Sequence, residues 1–304
     1  MAVPLIAGAA ALALGGTYLG ARLNRRRLVD LRATMPGRLV PLSQGQTHAQ
    51  WHGPEEGPVL VCVHGLSTPS FVWAPLLPHL TGLGYRVLTY DLYGRGYSDR
   101  VPGRQDSAFF QRQLQDLLDA EGVAEPFALA GYSMGGAIST AFTAACPGRV
   151  SRLILLAPAG LGLALGRFSD VVTRSPILGD WMIEVLGAKA LRGGYGGGDG
   201  ENPIADAITN RALDELAVEG TLRAILSAQR GILSDDQSNL HGDLAAKNVP
   251  VLAIWGEADT VIPIRSLDRL SVLNPLARQV VLADADHRLT YTHTTQVAQA
   301  IGPA

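Results

Sequence analysis

The chain has 304 residues, 47% hydrophobic and 17% charged, which supplies enough apolar material for one large globular domain or two small ones and excludes disordered, collagenous and coiled-coil chains. Twenty-five Lys and Arg against 27 Asp and Glu leave a formal charge of −2, so no basic excess advertises nucleic acid and no such partner is expected. The two cysteines, Cys62 and Cys146, lie far apart in or beside apolar segments, which leaves neither a disulfide framework nor a zinc pattern.

From Ala2 to Ala21 the chain is uncharged and rich in Ala, Leu and Gly. As a helix rising about 1.5 Å per residue, this stretch reaches roughly 30 Å, the thickness of a bilayer's hydrocarbon core. Arg22, Arg25, Arg26 and Arg27 follow the apolar stretch instead of preceding it, the reverse of a cleaved secretory signal. Residues 1–37 are therefore expected to be an N-terminal membrane anchor with a basic juxtamembrane segment. The positive-inside rule then places the remainder on the cytoplasmic side. The alternative is a hydrophobic helix packed on a cytoplasmic protein.

Two extended segments, Arg38 to Leu42 and Thr47 to Trp51, precede a series of short apolar runs: Val59 to Val63, Val87 to Tyr90, Phe127 to Ala130, Leu153 to Ala157, Val251 to Trp255 and Val280 to Leu282. Each is apolar nearly throughout, as strands buried on both faces are, and the stretches between them are long enough for helices. The pattern predicts an α/β fold with a mostly parallel, doubly wound sheet. Residues 161–247 separate two successive strands by far more than a crossover needs. Their apolar groups, among them Trp181, Met182, Ile183, Val185 and Leu186, then Leu222, Ile225 and Leu226, recur at helical spacing, with a glycine-rich break at Gly193 to Gly200. A helical cap with a flexible joint is expected there, inserted into a core formed by residues 38–160 and 248–304.

Gly131-Tyr132-Ser133-Met134-Gly135 is a GxSxG segment. It directly follows the strand Phe127 to Ala130 and opens the Ala-rich helical stretch Ala137 to Ala145, the strand-to-helix turn that such a motif requires. Glycines at the flanking positions leave room for a sharp turn that pushes Ser133 out above the carboxyl edge of the sheet, at a helix N-terminus whose N–H groups favour a developing anion. A serine hydroxyl becomes a nucleophile when a base removes its proton, and the base needs a carboxylate to orient it. His287 follows the last predicted strand and Asp259 the preceding one, so both emerge at the same sheet edge as Ser133. Glu257, on the same loop, is the competing carboxylate. Asp284 and Asp286 are too near His287 in sequence to hold the far nitrogen of its ring. His293 is expected to begin or pack the final helix, Thr294 to Ile301. His48, His52, His79 and His241 follow no strand of the central sheet and are assigned structural or surface roles. His64-Gly65 closes the strand Val59 to Val63, and the backbone N–H of Leu66 just beyond it can pair with that of Met134 as an oxyanion hole.

The set His64-Gly65, Asp91-Leu92-Tyr93-Gly94-Arg95-Gly96-Tyr97-Ser98, Gly131-Tyr132-Ser133-Met134-Gly135-Gly136, Gly256-Glu257-Ala258-Asp259 and Asp286-His287 resembles the α/β-hydrolase fold superfamily over roughly residues 38–301. The resemblance implies Ser133 as nucleophile, His287 as base and Asp259 as acid, under a cap and without a cofactor or metal. It also implies that the Asp91 to Ser98 turn lies near the active-site entrance and is structural. One departure is Asp286, where family members often carry glycine. The expected activity is hydrolysis of a small hydrophobic, lipid-like carboxylic ester through an acyl-enzyme, as in an esterase or lipase. Hydrolysis of C–C bonds, peroxidase-like chemistry and acyl transfer use the same three residues, and a membrane-tethered accessory protein without activity is a further alternative.

Overall fold

The computed structural model describes residues 2–194 and 202–304. Eight strands, β1 (Arg38–Pro41), β2 (Gln46–His52), β3 (Val59–Val63), β4 (Arg86–Tyr90), β5 (Phe127–Tyr132), β6 (Val150–Leu156), β7 (Val251–Gly256) and β8 (Arg278–Leu282), form one sheet. Their order is β1-β2-β4-β3-β5-β6-β7-β8. The β1–β2 and β2–β4 pairs are antiparallel, and the pairs from β4 through β8 are all parallel. Every residue of β5 and β7 is buried, because helices cover both faces of the central sheet; that is why these strands read as unbroken apolar runs.

The helices are α1 (Ala2–Leu23), α2 (Leu28–Arg32), α3 (Leu77–Gly82), α4 (Ser107–Ala120), α5 (Met134–Ala145), α6 (Arg167–Arg174), α7 (Pro176–Gly194), α8 (Pro203–Glu215), α9 (Thr221–Arg230), α10 (Ser238–Ala246), α11 (Arg265–Leu273), α12 (Leu289–Thr292) and α13 (Thr294–Ile301). Helix α5 is the central one: Met134 through Ala144 are all buried, packed against β3, β5, β6, α4 and α10. Its run of Gly, Ala, Ser and Thr permits the backbone to lie close to its neighbours on every side. Helix α4 is capped by Asp106, whose side chain accepts from Phe109 N at 3.1 Å, and it buries the stripe Phe110, Leu114, Leu117 and Leu118.

Among the described residues, helices α6 to α10 intervene between β6 and β7. Val172, Ile183, Leu216, Leu222, Ile225 and Leu226 form an apolar cluster of their own there, which uses several of the residues picked out by helical spacing. The expected glycine-rich break is partly helical: Gly193 and Gly194 still belong to α7, and its remaining positions, 195–200, lie outside the described residues.

The expected membrane anchor is not carried over. Residues 2–21 do fall in a helix, α1, of whose side chains those from Leu12 onward are described, but among the described residues no helix is long and apolar enough to cross a membrane. Of the four arginines that follow it, Arg22, Arg26 and Arg27 are exposed and Arg25 is taken up by protein. Arg25, its side chain only 13% exposed, donates to Leu216 O at 2.9 Å and Glu184 O at 2.6 Å, and Arg26 N donates to Ala217 O at 2.9 Å. Helix α1 itself packs on α7, where Trp181 Nε1 donates to Leu14 O at 3.0 Å. His48 and His52 stand on β2 within the sheet, the strand that contains the extended segment expected at Thr47 to Trp51.

Candidate active site

The chain leaves β5 at Tyr132, turns at Ser133 and enters α5 at Met134. Ser133 has φ 54° and ψ −119°, a conformation costly for a residue with a side chain. It persists because the turn is bonded on both sides: Ser133 N donates to Leu156 O at 2.9 Å, and Ser133 O accepts from Gly136 N at 2.9 Å and Ala159 N at 3.0 Å. The glycines around it are required by close approach. A methyl on Gly131 would stand 2.6 Å from Ser139 Oγ, one on Gly136 2.6 Å from Pro158 Cβ, and one on Gly135 2.6 Å from His64 O and closer still to Val63 O.

Above this turn the structure brings together the three side chains expected from the sequence. Ser133 Oγ lies 3.0 Å from His287 Nε2, and His287 Nδ1 lies 2.8 Å from Asp259 Oδ2. A carboxylate only accepts, so Nδ1 carries the ring proton and Nε2 is left to accept from the serine hydroxyl. Asp259 has a side chain 1% exposed, and its other oxygen accepts from Val261 N and Ile262 N, both at 2.8 Å. These bonds fix the carboxylate's orientation. The loops carrying Asp259 and His287 are tied together by Ala258 N donating to Ala285 O at 2.9 Å and Glu257 N donating to Leu282 O at 3.1 Å. Tyr132 O–H donates to His287 O at 2.9 Å, and the two rings lie 5.3 Å apart. The competing carboxylates are elsewhere: Glu257 is exposed, and Asp286 binds Arg288 through Nε at 2.7 Å and N at 2.8 Å, so the residue that departs from the family pattern pairs with an arginine two positions on.

Gly65 sits against the serine, since a methyl there would lie 3.4 Å from Ser133 Cβ. Leu66 follows it, and among the described residues neither Leu66 N–H nor Met134 N–H donates to a protein acceptor. His64 is held by accepting from Leu92 N at 2.8 Å through Nε2 and donating from Nδ1 to Gly65 O at 2.8 Å. Burial pushes its pKa down to about 4, so the ring is neutral. Leu66 O accepts from Nε of Arg95 at 3.0 Å. That guanidinium is fully buried and also donates to Tyr93 O at 2.9 Å, Gln105 Oε1 and Ala224 O of α9 at 3.1 Å. Among the described residues no carboxylate lies within ion-pair distance of it, and burial lowers its pKa to about 9.

Ser133 and His287 open into a cavity of about 390 Å³. Its floor comes from the loop after β3 and the serine turn, its roof from the segment leading into α6 and from α7 and α9, with Leu163, Phe168, Leu191, Leu233 and Val261 supplying apolar walls. Thr68, Ser169 and Gln229 line it as polar groups, and no sequence signal marks them: Gln229 occupies one position of a mixed helix, indistinguishable by pattern from a solvent-facing residue. The Asp91 to Ser98 turn does not line the cavity. Asp91 instead accepts from Ser70 N, Tyr97 N and the His48 ring at 2.8 to 2.9 Å, which holds the loops behind the site. No group of residues suited to holding a metal ion occurs among the described residues.

A serine at a strained strand-to-helix turn, bonded to a histidine after the last strand and an aspartate after the one before, belongs to few architectures, and residues 60–300 match the Alpha/beta hydrolase family. The chain belongs to that family. This alpha/beta hydrolase is 27% identical over 280 residues to the pimeloyl-[acyl-carrier protein] methyl ester esterase of Shewanella sp., covering 87% of the chain and 96% of the relative. It is 28% identical to a dihydrolipoyllysine-residue acetyltransferase component of the acetoin cleaving system of Pseudomonas putida, over 81% of the chain but only 63% of that longer protein. Among solved structures, a carboxylesterase of Bacillus subtilis superposes with a TM-score of 0.71 at 21% identity, covering 95% of this chain and 96% of the other. The enol-lactonase of Burkholderia xenovorans gives 0.74 at 20%, covering 87% and 98%. At these identities the structural likeness establishes the shared fold.

Proposed function

We propose that this alpha/beta hydrolase cleaves carboxylic esters of hydrophobic substrates through an acyl-enzyme on Ser133. The reading is carried by one observation, the relay Ser133–His287–Asp259 with links of 3.0 and 2.8 Å opening into an apolar-walled cavity. Ser133 Oγ attacks the ester carbonyl carbon while His287 Nε2 takes its proton, and Asp259 holds the imidazolium that forms. The N–H groups of Leu66 and Met134 receive the carbonyl oxygen as it becomes an oxyanion, with the N-terminus of α5 adding its dipole. Collapse breaks the carbon–oxygen bond to the alcohol, which leaves with the proton returned by His287. Water then enters, gives a proton to His287, attacks the acyl carbon and frees the acid and Ser133. Residues 161–247 serve as a cap that excludes bulk water from this chemistry, over a core of residues 38–160 and 248–304. The esterase relatives, the pimeloyl-[acyl-carrier protein] methyl ester esterase among them, support ester hydrolysis over the other reactions open to the same three residues.

The test is covalent labelling by a fluorophosphonate probe, which reports an activated serine without requiring the natural substrate. Intact protein labels and Ser133→Ala does not; a p-nitrophenyl ester series from acetate to decanoate then measures the acyl preference. An intact protein that neither labels nor hydrolyses any member of the series overturns the proposal.

A further inference from the structure

The cavity beside Ser133 is not uniformly apolar. Gln229 of α9 is 3% exposed, Ser169 of α6 is 4% exposed and Thr68 of the loop after β3 is 7% exposed, and all three line the cavity. None of these side chains has a hydrogen-bond partner among the described residues, and Gln229 Oε1 is sealed from solvent without one. A primary amide left unpaired in an apolar wall is expensive, because its water is lost and nothing replaces it. An apolar residue of similar volume, such as Met or Leu, would fill the same position in α9 without that cost. Buried polar groups that converge on a ligand cavity are ordinarily satisfied by the ligand.

Resting on the ester-hydrolase reading, we propose that Gln229, with Ser169 and Thr68 of the same lining, forms a polar subsite for a hydroxyl group of the substrate, so that the preferred class is hydroxylated esters rather than plain alkyl esters. The three buried groups are all neutral and each can both donate and accept, which matches a hydroxyl. A charged substituent would be stripped of water there without a counter-ion, since Arg167, which has no ion-pair partner among the described residues, is exposed to solvent and Arg288 is held by Asp286 at 2.7 Å. The apolar walls accommodate the carbon skeleton between the ester and the hydroxyl. The subsite therefore contributes selectivity: a substrate lacking the hydroxyl leaves the amide unpaired in the complex, whereas one that carries it removes that penalty.

The experiment compares kcat/KM, by pH-stat titration, within two pairs that differ only by a hydroxyl: ethyl against 2-hydroxyethyl butanoate for the alcohol side, and methyl hexanoate against methyl 6-hydroxyhexanoate for the acyl side. In at least one pair the wild-type enzyme prefers the hydroxylated member by about 10-fold or more, the effect of leaving one buried partner unpaired. In Gln229→Met that ratio falls toward one, while fluorophosphonate labelling of Ser133 verifies that the variant is folded. Equal values within both pairs for the wild type overturn the subsite, and so does a preference that survives in Gln229→Met. The wild-type ratios alone decide the matter if the variant does not fold. Failure of the esterase reading is separately visible, as an intact protein that neither labels nor cleaves p-nitrophenyl butanoate.

Discussion

Gly135 offers the sharpest quantitative test of how the candidate site is held. It lies on α5 two residues after Ser133, packed directly on the end of β3. In Gly135→Ala the new methyl would lie 2.6 Å from His64 O and 2.7 Å from the carbonyl carbon of Val63. An ordinary carbon–oxygen contact is about 3.3 Å, so the shortfall at His64 O is roughly 0.7 Å, and it is larger at Val63 O. Both obstacles are backbone, so no rotamer change can relieve the overlap. Relief requires α5 to move away from β3 by close to about 1 Å. Those two elements carry the two N–H groups assigned to the oxyanion, Met134 on α5 and Leu66 three residues beyond β3. Displacing one donor by that much is equivalent to losing it, which lowers kcat by about 10² to 10³. The added methyl also overpacks the core by about 1 to 3 kcal/mol, so the thermal midpoint falls by several degrees without loss of the fold. Steady-state kinetics on p-nitrophenyl butanoate together with differential scanning calorimetry provide the readout: kcat drops at least about 100-fold with KM changed far less. A Gly135→Ala enzyme with wild-type kcat would refute both the packing argument and the placement of the oxyanion donors.

Asp259→Asn keeps Oδ1 to accept from Val261 N and Ile262 N and so turns its NH₂ toward His287; the ring is forced into the tautomer with its proton on Nε2, and kcat is expected to fall by about 10⁴ with the fold unchanged. A loss of less than tenfold in the same kinetic assay would remove Asp259 from the relay. Glu215, at the end of α8, accepts from Gly96 N at 3.1 Å, and burial, opposed by the Arg100 charge, raises its pKa from 4.5 to about 7. A carboxyl whose folded pKa is raised binds its proton more tightly when native, so its contribution to stability is present below pH 4.5 and lost as pH climbs to about 7, by about 3 kcal/mol. Glu215→Gln retains an acceptor for Gly96 N without a charge to bury. Its thermal midpoint relative to wild type should therefore climb between pH 4.5 and 7 and stay level above, and a difference independent of pH would contradict the assignment.

The strands were legible because burial on both faces leaves no polar position: the runs Val59 to Val63 and Val251 to Trp255 need no alternation to be recognised, and they fall within a residue of β3 and β7. Ser133, Asp259 and His287 were legible for a related reason, since each follows a strand end and the parallel topology delivers all strand ends to one edge. The carboxylate could not be separated from Glu257 by position alone; what separates them is that Asp259 is enclosed and triply bonded while Glu257 faces water. The contacts of α1 were not legible in its apolar stretch, because hydropathy measures how much surface prefers to leave water and not which partner receives it. Arg25 reaches Leu216 and Glu184, 191 and 159 residues away in sequence, and no local pattern encodes such a bond. The same limit hides Gln229, whose significance lies wholly in the walls around it.

The acceptors that surround the buried Arg95 guanidinium carry a consequence for how this scaffold diversifies. Three of the four are main-chain carbonyls, from Leu66, Tyr93 and Ala224, and a carbonyl is present whatever side chain the position bears. The inserted helices are thus fastened to the loop beside the nucleophile by a bond indifferent to their own sequence. Mutation can rewrite Gln229, the α9 side chain that lines the cavity, without loosening the helix that displays it. Substrate range and attachment are encoded in separate atoms of the same segment, so one can drift while the other is conserved by geometry.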